Sequence, residues 1–332
     1  MRINFTENNL FLENDYRVSE LSDNTKRLFE HQINNWKLAS NGYESLKSIQ
    51  KKTFEFDGFN LEAHYNPGRI ISSSAKVDNK SIEERPCFLC VKNLPLEQKA
   101  IKAIGNYIIL VNPFPIFPVH FTIPSINHEP QLIINEFQNL LLLTKELGKD
   151  YSLFYNGPKC GASAPDHLHF QAGSKNFMRI DDEYESVIKK YGSIVCEEND
   201  AVLYKVTGYL RNYFSIESNN VKSIIDKFNV IYNLLFEKDD NDEPMMNIIC
   251  TYEKSWRVII FPRSKHRPNY FFEEGDNKIL ISPAAVDFGG VCIFPREEDF
   301  NKITKELLVD VFKQVTISED KINYIAKEIQ DL

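Results

Sequence analysis

The hydrophobic residues of this chain fall into short runs of two periods, and those runs predict its elements. Between residues 21 and 39, Phe29, Ile33 and Trp36 recur at helical spacing, and Asn41-Gly42 supplies a stop. Period two then takes over. Phe54 and Phe56 alternate, Asp57-Gly58 is a hairpin turn, and Phe59, Leu61, Ala63 and Tyr65 alternate again. Residues 106–111 predict a buried strand. Pro113, Pro115 and Pro118 interrupt it, and a further strand covers 119–123. A helix is expected from Gln131 to Gly148, then strands at 151–155 and 168–172. The second half predicts helices at 220–237, 297–315 and 319–329, with strands at 246–252 and 257–261.

One pattern occurs twice. A hydrophobic strand leads into Pro124, His128 and Pro130, and another leads into Pro262, His266 and Pro268. Both read Pro-x-x-x-His-x-Pro. This predicts a duplicated α+β unit whose second copy has drifted. The late strands expected at 279–283 and 290–293 carry no His-x-His, so one active site per chain is expected.

The segment richest in chemistry runs Asn156-Gly157-Pro158-Lys159-Cys160-Gly161-Ala162-Ser163-Ala164-Pro165-Asp166-His167-Leu168-His169-Phe170-Gln171. Strand periodicity puts His167, His169 and Gln171 on one face and turns Leu168 and Phe170 to the core. Polar groups beside a loop of small residues can surround a phosphoryl group, because the loop can offer backbone N–H groups. A neutral imidazole is a good nucleophile toward phosphorus near pH 7, provided one nitrogen is hydrogen-bonded and the other free. The bare His-x-His-x-Gln pattern would also suit a half-exposed strand with polar residues outward. The Gly-Ala-Ser loop before it favours the chemical reading.

This segment resembles the His-x-His-x-Gln motif of the transferase branch of the histidine triad superfamily. The resemblance implies a fold of class α+β: a duplicated histidine-triad-like unit, antiparallel sheet with packed helices, its second copy degenerate. It implies that His169 is the nucleophile, that Gln171 holds a nonbridging oxygen, and that Gly161 and Ser163 contact phosphate. Hydrolases of the superfamily carry a third His where this chain has Gln171, which favours transfer over hydrolysis. The implied function is a nucleotidyltransferase or phosphorylase acting on a nucleoside diphosphate sugar or a dinucleoside polyphosphate. The partners are that nucleotide and a phosphate or sugar-phosphate acceptor. Exchange between sugar phosphates, nucleotide hydrolysis and plain nucleotide binding are the rival readings.

Cys87-x-x-Cys90 with His128 and His167 is a donor set that suits tetrahedral zinc. Several members of the superfamily bind structural zinc through the corresponding positions, so a structural zinc ion is expected here. The resemblance also brings Arg69, Lys76, Asn112, Phe114 and Asn156 near the nucleotide. For Arg69 and Lys76 a solvated turn accounts for the residues equally well. Lys265, with Arg263, His266 and Arg267, could bind the acceptor or form a solvated loop. His120 is expected to pack in or beside its strand, and His31 and His64 have no supporting context. Cys160, Cys196, Cys250 and Cys292 read as packing residues. The implied organisation is an N-terminal helical segment (1–52), a catalytic half (53–180) and a degenerate half completing the pocket (181–332).

Composition narrows the partners. With 39 basic and 47 acidic side chains, the net charge of −8 repels a polyanion, so nucleic acid is not expected. The longest apolar runs are too short to span a bilayer, and the start of the chain does not read as a signal peptide. A cytoplasmic location is the default expectation, and six cysteines in 332 residues make no disulfide scaffold.

Overall fold

The structure is a computed structural model that describes residues 21–70, 79–236 and 243–332. Among the described residues, thirteen strands form two sheets. They are β1 (Gln50–Glu55), β2 (Asn60–Tyr65), β3 (Ala100–Lys102), β4 (Ile108–Val111), β5 (His120–Pro124), β6 (Tyr151–Asn156) and β7 (His169–Ser174), then β8 (Gly192–Glu198), β9 (Ala201–Val206), β10 (Tyr213–Ser218), β11 (Met246–Tyr252), β12 (Trp256–Pro262) and β13 (Val291–Phe294). The helices used below are α1 (Leu21–Asn35), α2 (Lys37–Ser45), α3 (Phe137–Leu147), α4 (Arg179–Tyr191), α5 (Val221–Leu235), α6 (Ala285–Phe288), α7 (Glu297–Lys302), α8 (Lys305–Val315) and α9 (Glu319–Gln330).

The large sheet is antiparallel, in the order β3-β4-β5-β7-β6-β11-β12-β10-β9-β8. Its two halves repeat one topology. Read from the outer edges inward, the first half runs 3-4-5-7-6 and the second 8-9-10-12-11. They join where β6 pairs with β11, Asn247 opposite Asn156. Helix α3 links β5 to β6 as α5 links β10 to β11. Phe137 and Phe228, one from each helix, stack with centroids 3.7 Å apart. The duplication is therefore present, but the sequence echo pairs the wrong strands. Pro124 ends β5, whose counterpart is β10, whereas Pro262 ends β12, the counterpart of β7. Residues 279–282 are not a strand, and β13 lies in the small sheet β1-β2-β13, parallel to β2.

One face of the large sheet packs under α1, α3, α5 and α9 through Leu28, Leu140, Phe228 and Ile325. The opposite face meets the small sheet, α4 and α8 through Leu61, Tyr184 and Val311. Along β7, Phe170 and Ala172 join the first core, so His169, Gln171 and Gly173 take the second face.

Three helical expectations change. The first helix breaks at Trp36, and Gly42 lies inside α2 rather than after a helix. A β-carbon on Gly42 would stand 2.2 Å from the Pro113 carbonyl oxygen, so the glycine serves a close approach. The stretch 297–315 is two helices, α8 being capped by the Thr304 hydroxyl. Helix α3 begins at Phe137, leaving Gln131 in irregular chain.

Candidate active site and metal centre

His169 opens β7 and is 4% exposed. Its Nδ1 lies 2.8 Å from the carbonyl oxygen of His167. A carbonyl only accepts, so Nδ1 carries the proton and Nε2 keeps its lone pair. Burial is the main reason its pKa falls to about 4, which keeps the ring neutral near pH 7.

Gln171 lies two residues on and is partly exposed. Its amide orientation is set by His120, a residue expected only to pack. His120 is fully buried. Its Nδ1 accepts from the Ile116 N–H at 3.3 Å, so Nε2 is the protonated nitrogen, and it donates to Gln171 Oε1 at 3.0 Å. The Gln171 NH2 group is thereby left to donate elsewhere. Burial first, then the nearby Arg69 cation, push His120 down to about 3. Arg69 itself is lowered to about 10 by burial. It donates to the Phe114 carbonyl at 2.7 Å, and its buried Nε has no partner among the described residues.

The loop before β7 is folded against the second half. Gly161 has φ +96°, and a β-carbon there would meet Ala284 at 2.6 Å, so this position needs glycine. Arg85 braces the loop by donating to Asp166 Oδ1 at 2.8 Å and to the Ser163 carbonyl at 3.4 Å. Ser163 is partly exposed.

The strand begins at His169, so the alternation rule does not extend to His167. That ring enters a second cluster. His167 Nε2 donates to the Ser125 carbonyl at 2.8 Å, leaving Nδ1 as a bare lone pair. Nδ1 lies 3.3 Å from Cys87 Sγ, 3.3 Å from His128 Nδ1 and 3.6 Å from Cys90 Sγ. Cys90 Sγ is 3.3 Å from His128 Nδ1. All four donor atoms lie within 4.8 Å of one another. Two thiols and two imidazole nitrogens converging in this way can hold a metal ion, and the donor set is that of a tetrahedral centre. Asp166 Oδ2 stands 3.8 Å from His128 Nε2, behind the cluster.

Other expected contacts are committed elsewhere. Asn156 Oδ1 accepts from Asn247 Nδ2 and from the Ala285 N–H, both at 2.8 Å, and so ties β6 to the second half. Asn112 Oδ1 accepts from the Phe114 N–H at 2.9 Å, making a local turn. Phe114 is partly exposed and gives Arg69 its carbonyl. Lys265 donates to Asn269 on the surface at 3.0 Å. Arg263 is 5% exposed and donates to Asn247 Oδ1 and to the carbonyls of Val315, Pro283, Lys265 and His266. It is not the solvated loop cation the sequence allowed. Lys76 lies outside the described residues. On β12, the counterpart of β7, the corresponding face carries Arg257, Ile259 and Phe261, with no histidine.

A cavity of ≈ 440 Å³ lies apart from His169 and Gln171, between α1, α2 and β1, with Phe29, Tyr43, His64 and Phe177 in its walls. His64 is occupied there by Glu62 at 2.7 Å. Sequence reasoning missed His120 and Gln131. His120 gave only the signal of a polar side chain in a segment otherwise apolar, and Gln131, close behind Asn127, His128 and Glu129, did not stand out at all.

Comparison with known proteins agrees with this architecture. Residues 28–174 match the family described as a domain of unknown function, DUF4922. Residues 186–332 match the family described as GDPGP1-like, C-terminal domain. The crystal structure of yeast Ap4A phosphorylase Apa2 in complex with Ap4A superposes with a TM-score of 0.59 at 15% identity, covering 89% of this chain and 97% of that one. The AMP complex of the same yeast enzyme gives 0.58 at 15% identity, covering 89% and 96%. The likeness to the yeast enzyme is one of fold and spans both halves of the chain. No curated protein matches it in a direct sequence comparison. The expected fold class is thus the observed one: α+β, built from two histidine-triad-like units side by side. No helix among the described residues is long and apolar enough to cross a membrane.

Proposed function

We propose that this chain is a phosphorylase-like nucleotidyltransferase working through a covalent nucleotidyl-His169. The observation that carries the reading is geometric. His169 Nδ1 is held by a carbonyl of its own chain, so Nε2 is the free nucleophilic nitrogen. Beside it, His120 turns the Gln171 amide with its NH2 group outward. The match of the second half to the GDPGP1-like family and the fold shared with the yeast Ap4A phosphorylase support the same reading.

In the first step Nε2 of His169 attacks the α-phosphorus of a dinucleoside polyphosphate or nucleoside diphosphate sugar. An N–P bond forms, and the P–O bond to the departing phosphate group breaks. The Gln171 amide donates to a nonbridging oxygen as charge moves onto it, and Arg69 supplies a cation behind His120. The leaving group is itself a phosphate, so it needs little help from an acid, which suits a neutral Gln171. In the second step an oxygen of inorganic phosphate attacks the same phosphorus, the N–P bond breaks and His169 is restored. Gly161 and Ser163 are the loop residues assigned to the phosphates. Lys76 and Lys265 remain candidates for the same charge, Asn112 and Phe114 for the nucleoside, and Asn156 for phosphate or ribose.

Cys87, Cys90, His128 and His167 would hold a structural zinc ion. Bound there, zinc supplies cross-linking rather than chemistry on the substrate. His167 would then fix the turn that delivers His169, with its Nε2–H to the Ser125 carbonyl setting the ligating tautomer.

Incubation with Ap4A or a nucleoside diphosphate sugar should give an acid-labile nucleotidyl adduct in intact mass spectra, absent from His169→Ala. Discharge by inorganic phosphate supports phosphorolysis. Discharge only by a sugar phosphate assigns the exchange reaction instead. Absence of an adduct with every nucleotide tried rejects covalent transfer.

A further inference from the structure

The ladder between β6 and β7 runs in register from Tyr151 opposite Ser174 to Phe154 opposite Gln171. Continued, it would bring Asn156 opposite His169. The strands part before that point, and a side chain fills the gap. Gln131, fully buried, donates from Nε2 to the His169 carbonyl at 2.9 Å and to the Asn156 carbonyl at 3.0 Å. Its Oε1 accepts from the His169 N–H at 2.7 Å. One carboxamide therefore satisfies both main-chain groups of His169 and spans the two strands.

The wedge is braced in turn. Gln131 N–H donates to the Pro165 carbonyl at 3.1 Å, just before the motif. The Tyr155 hydroxyl lies 3.0 Å from the Gln131 carbonyl and 2.6 Å from Glu243 Oε1. Glu243, only 2% exposed, accepts the Ile133 N–H on its other oxygen at 2.8 Å. Glu243 leads into β11, so a carboxylate of the second half supports the turn that holds the residue proposed to react in the first.

We propose that Gln131 is the positioning residue of the site: its amide replaces the missing strand pair and sets where His169 stands. The proposal rests on the reading of His169 as the attacking group. A nearly isosteric thioether side chain at this position keeps the packing and removes all three hydrogen bonds. A nucleophile displaced by about 1 Å loses rate on the order of 100-fold while binding survives.

The experiment compares the parent with Gln131→Met and, at one remove, Tyr155→Phe. With Ap4A or a nucleoside diphosphate sugar and phosphate, Gln131→Met should lower kcat on the order of 100-fold and leave KM near the parent value. Tyr155→Phe should move kcat the same way by less. Independently, long-range ¹H–¹⁵N spectra of histidine-labelled protein should report Nδ1–H at His169 in the parent and displaced His169 ring resonances in Gln131→Met. An unchanged kcat, or kcat falling only in step with the folded fraction, overturns the proposal. If the parent itself forms no adduct, the attack reading has failed, and the spectra alone decide Gln131: unaltered His169 ring resonances then overturn it.

Discussion

His169 and Gln171 owe their orientation to two hydrogen bonds with opposite logic. A carbonyl fixes the tautomer of His169, and an imidazole fixes the rotation of Gln171. His120 can accept the Ile116 N–H on Nδ1, and so hold this ring orientation, only while it stays neutral. It does so because the folded protein holds its pKa at about 3, below the ordinary 6.5. Between those values the unfolded chain takes up a proton that the folded chain refuses. His120 therefore costs nothing above about pH 6.5, and it destabilises the fold progressively as pH falls toward 3. Replacing it by glutamine, which can still donate to Gln171, removes that titration. Urea midpoints of His120→Gln should fall less between pH 7 and pH 5 than those of the parent, and equal slopes would refute the assignment. The two motif residues were legible in the sequence because they share a face at period two. His120 was not, because it meets Gln171 only through the β5–β7 register, which joins residues far apart in the chain.

Single residues also decide where elements begin and end, and here local pattern and tertiary contact compete. Gly42 looked like a helix stop and is a helix interior. Elsewhere, changing such a glycine to alanine gains about 0.5–1 kcal/mol. Here the added carbon would meet the Pro113 carbonyl at 2.2 Å, an oxygen of the main chain that cannot swing aside. Overpacking costs about 1–3 kcal/mol, so the sign reverses: Gly42→Ala should lower Tm in a thermal melt, and a rise would show that the loop yields. Gln131 was read as the start of a helix for the same kind of reason. Its neighbours suit one, but its amide is required between two strands. The strands β8, β9 and β10 and helix α4 were not predicted at all. Exposed Ile194 and half-buried Tyr204 blur the alternation there. Without them the repeat could be matched only through Pro124 and Pro262, in the wrong frame.

Across the whole molecule, the two proposed centres depend on one short stretch, because His167 belongs to the Cys/His cluster and His169 to the reaction. Zinc held by the four residues would make folding of the first half depend on the metal. Purified protein should carry zinc that is lost in Cys87→Ser, and chelator should lower Tm in the parent but not in that variant. Zinc content unchanged by the substitution would remove the proposal. The union of the halves has its own result. In the sheet, β6 and β11 each use an edge that would otherwise be open, and the bond between the repeats is the chain itself. Whatever the second half lends to the site, from Glu243 to Ala284 against Gly161, accompanies it at any dilution. Specific activity should then hold constant down to nanomolar protein, since no association step supplies the missing half.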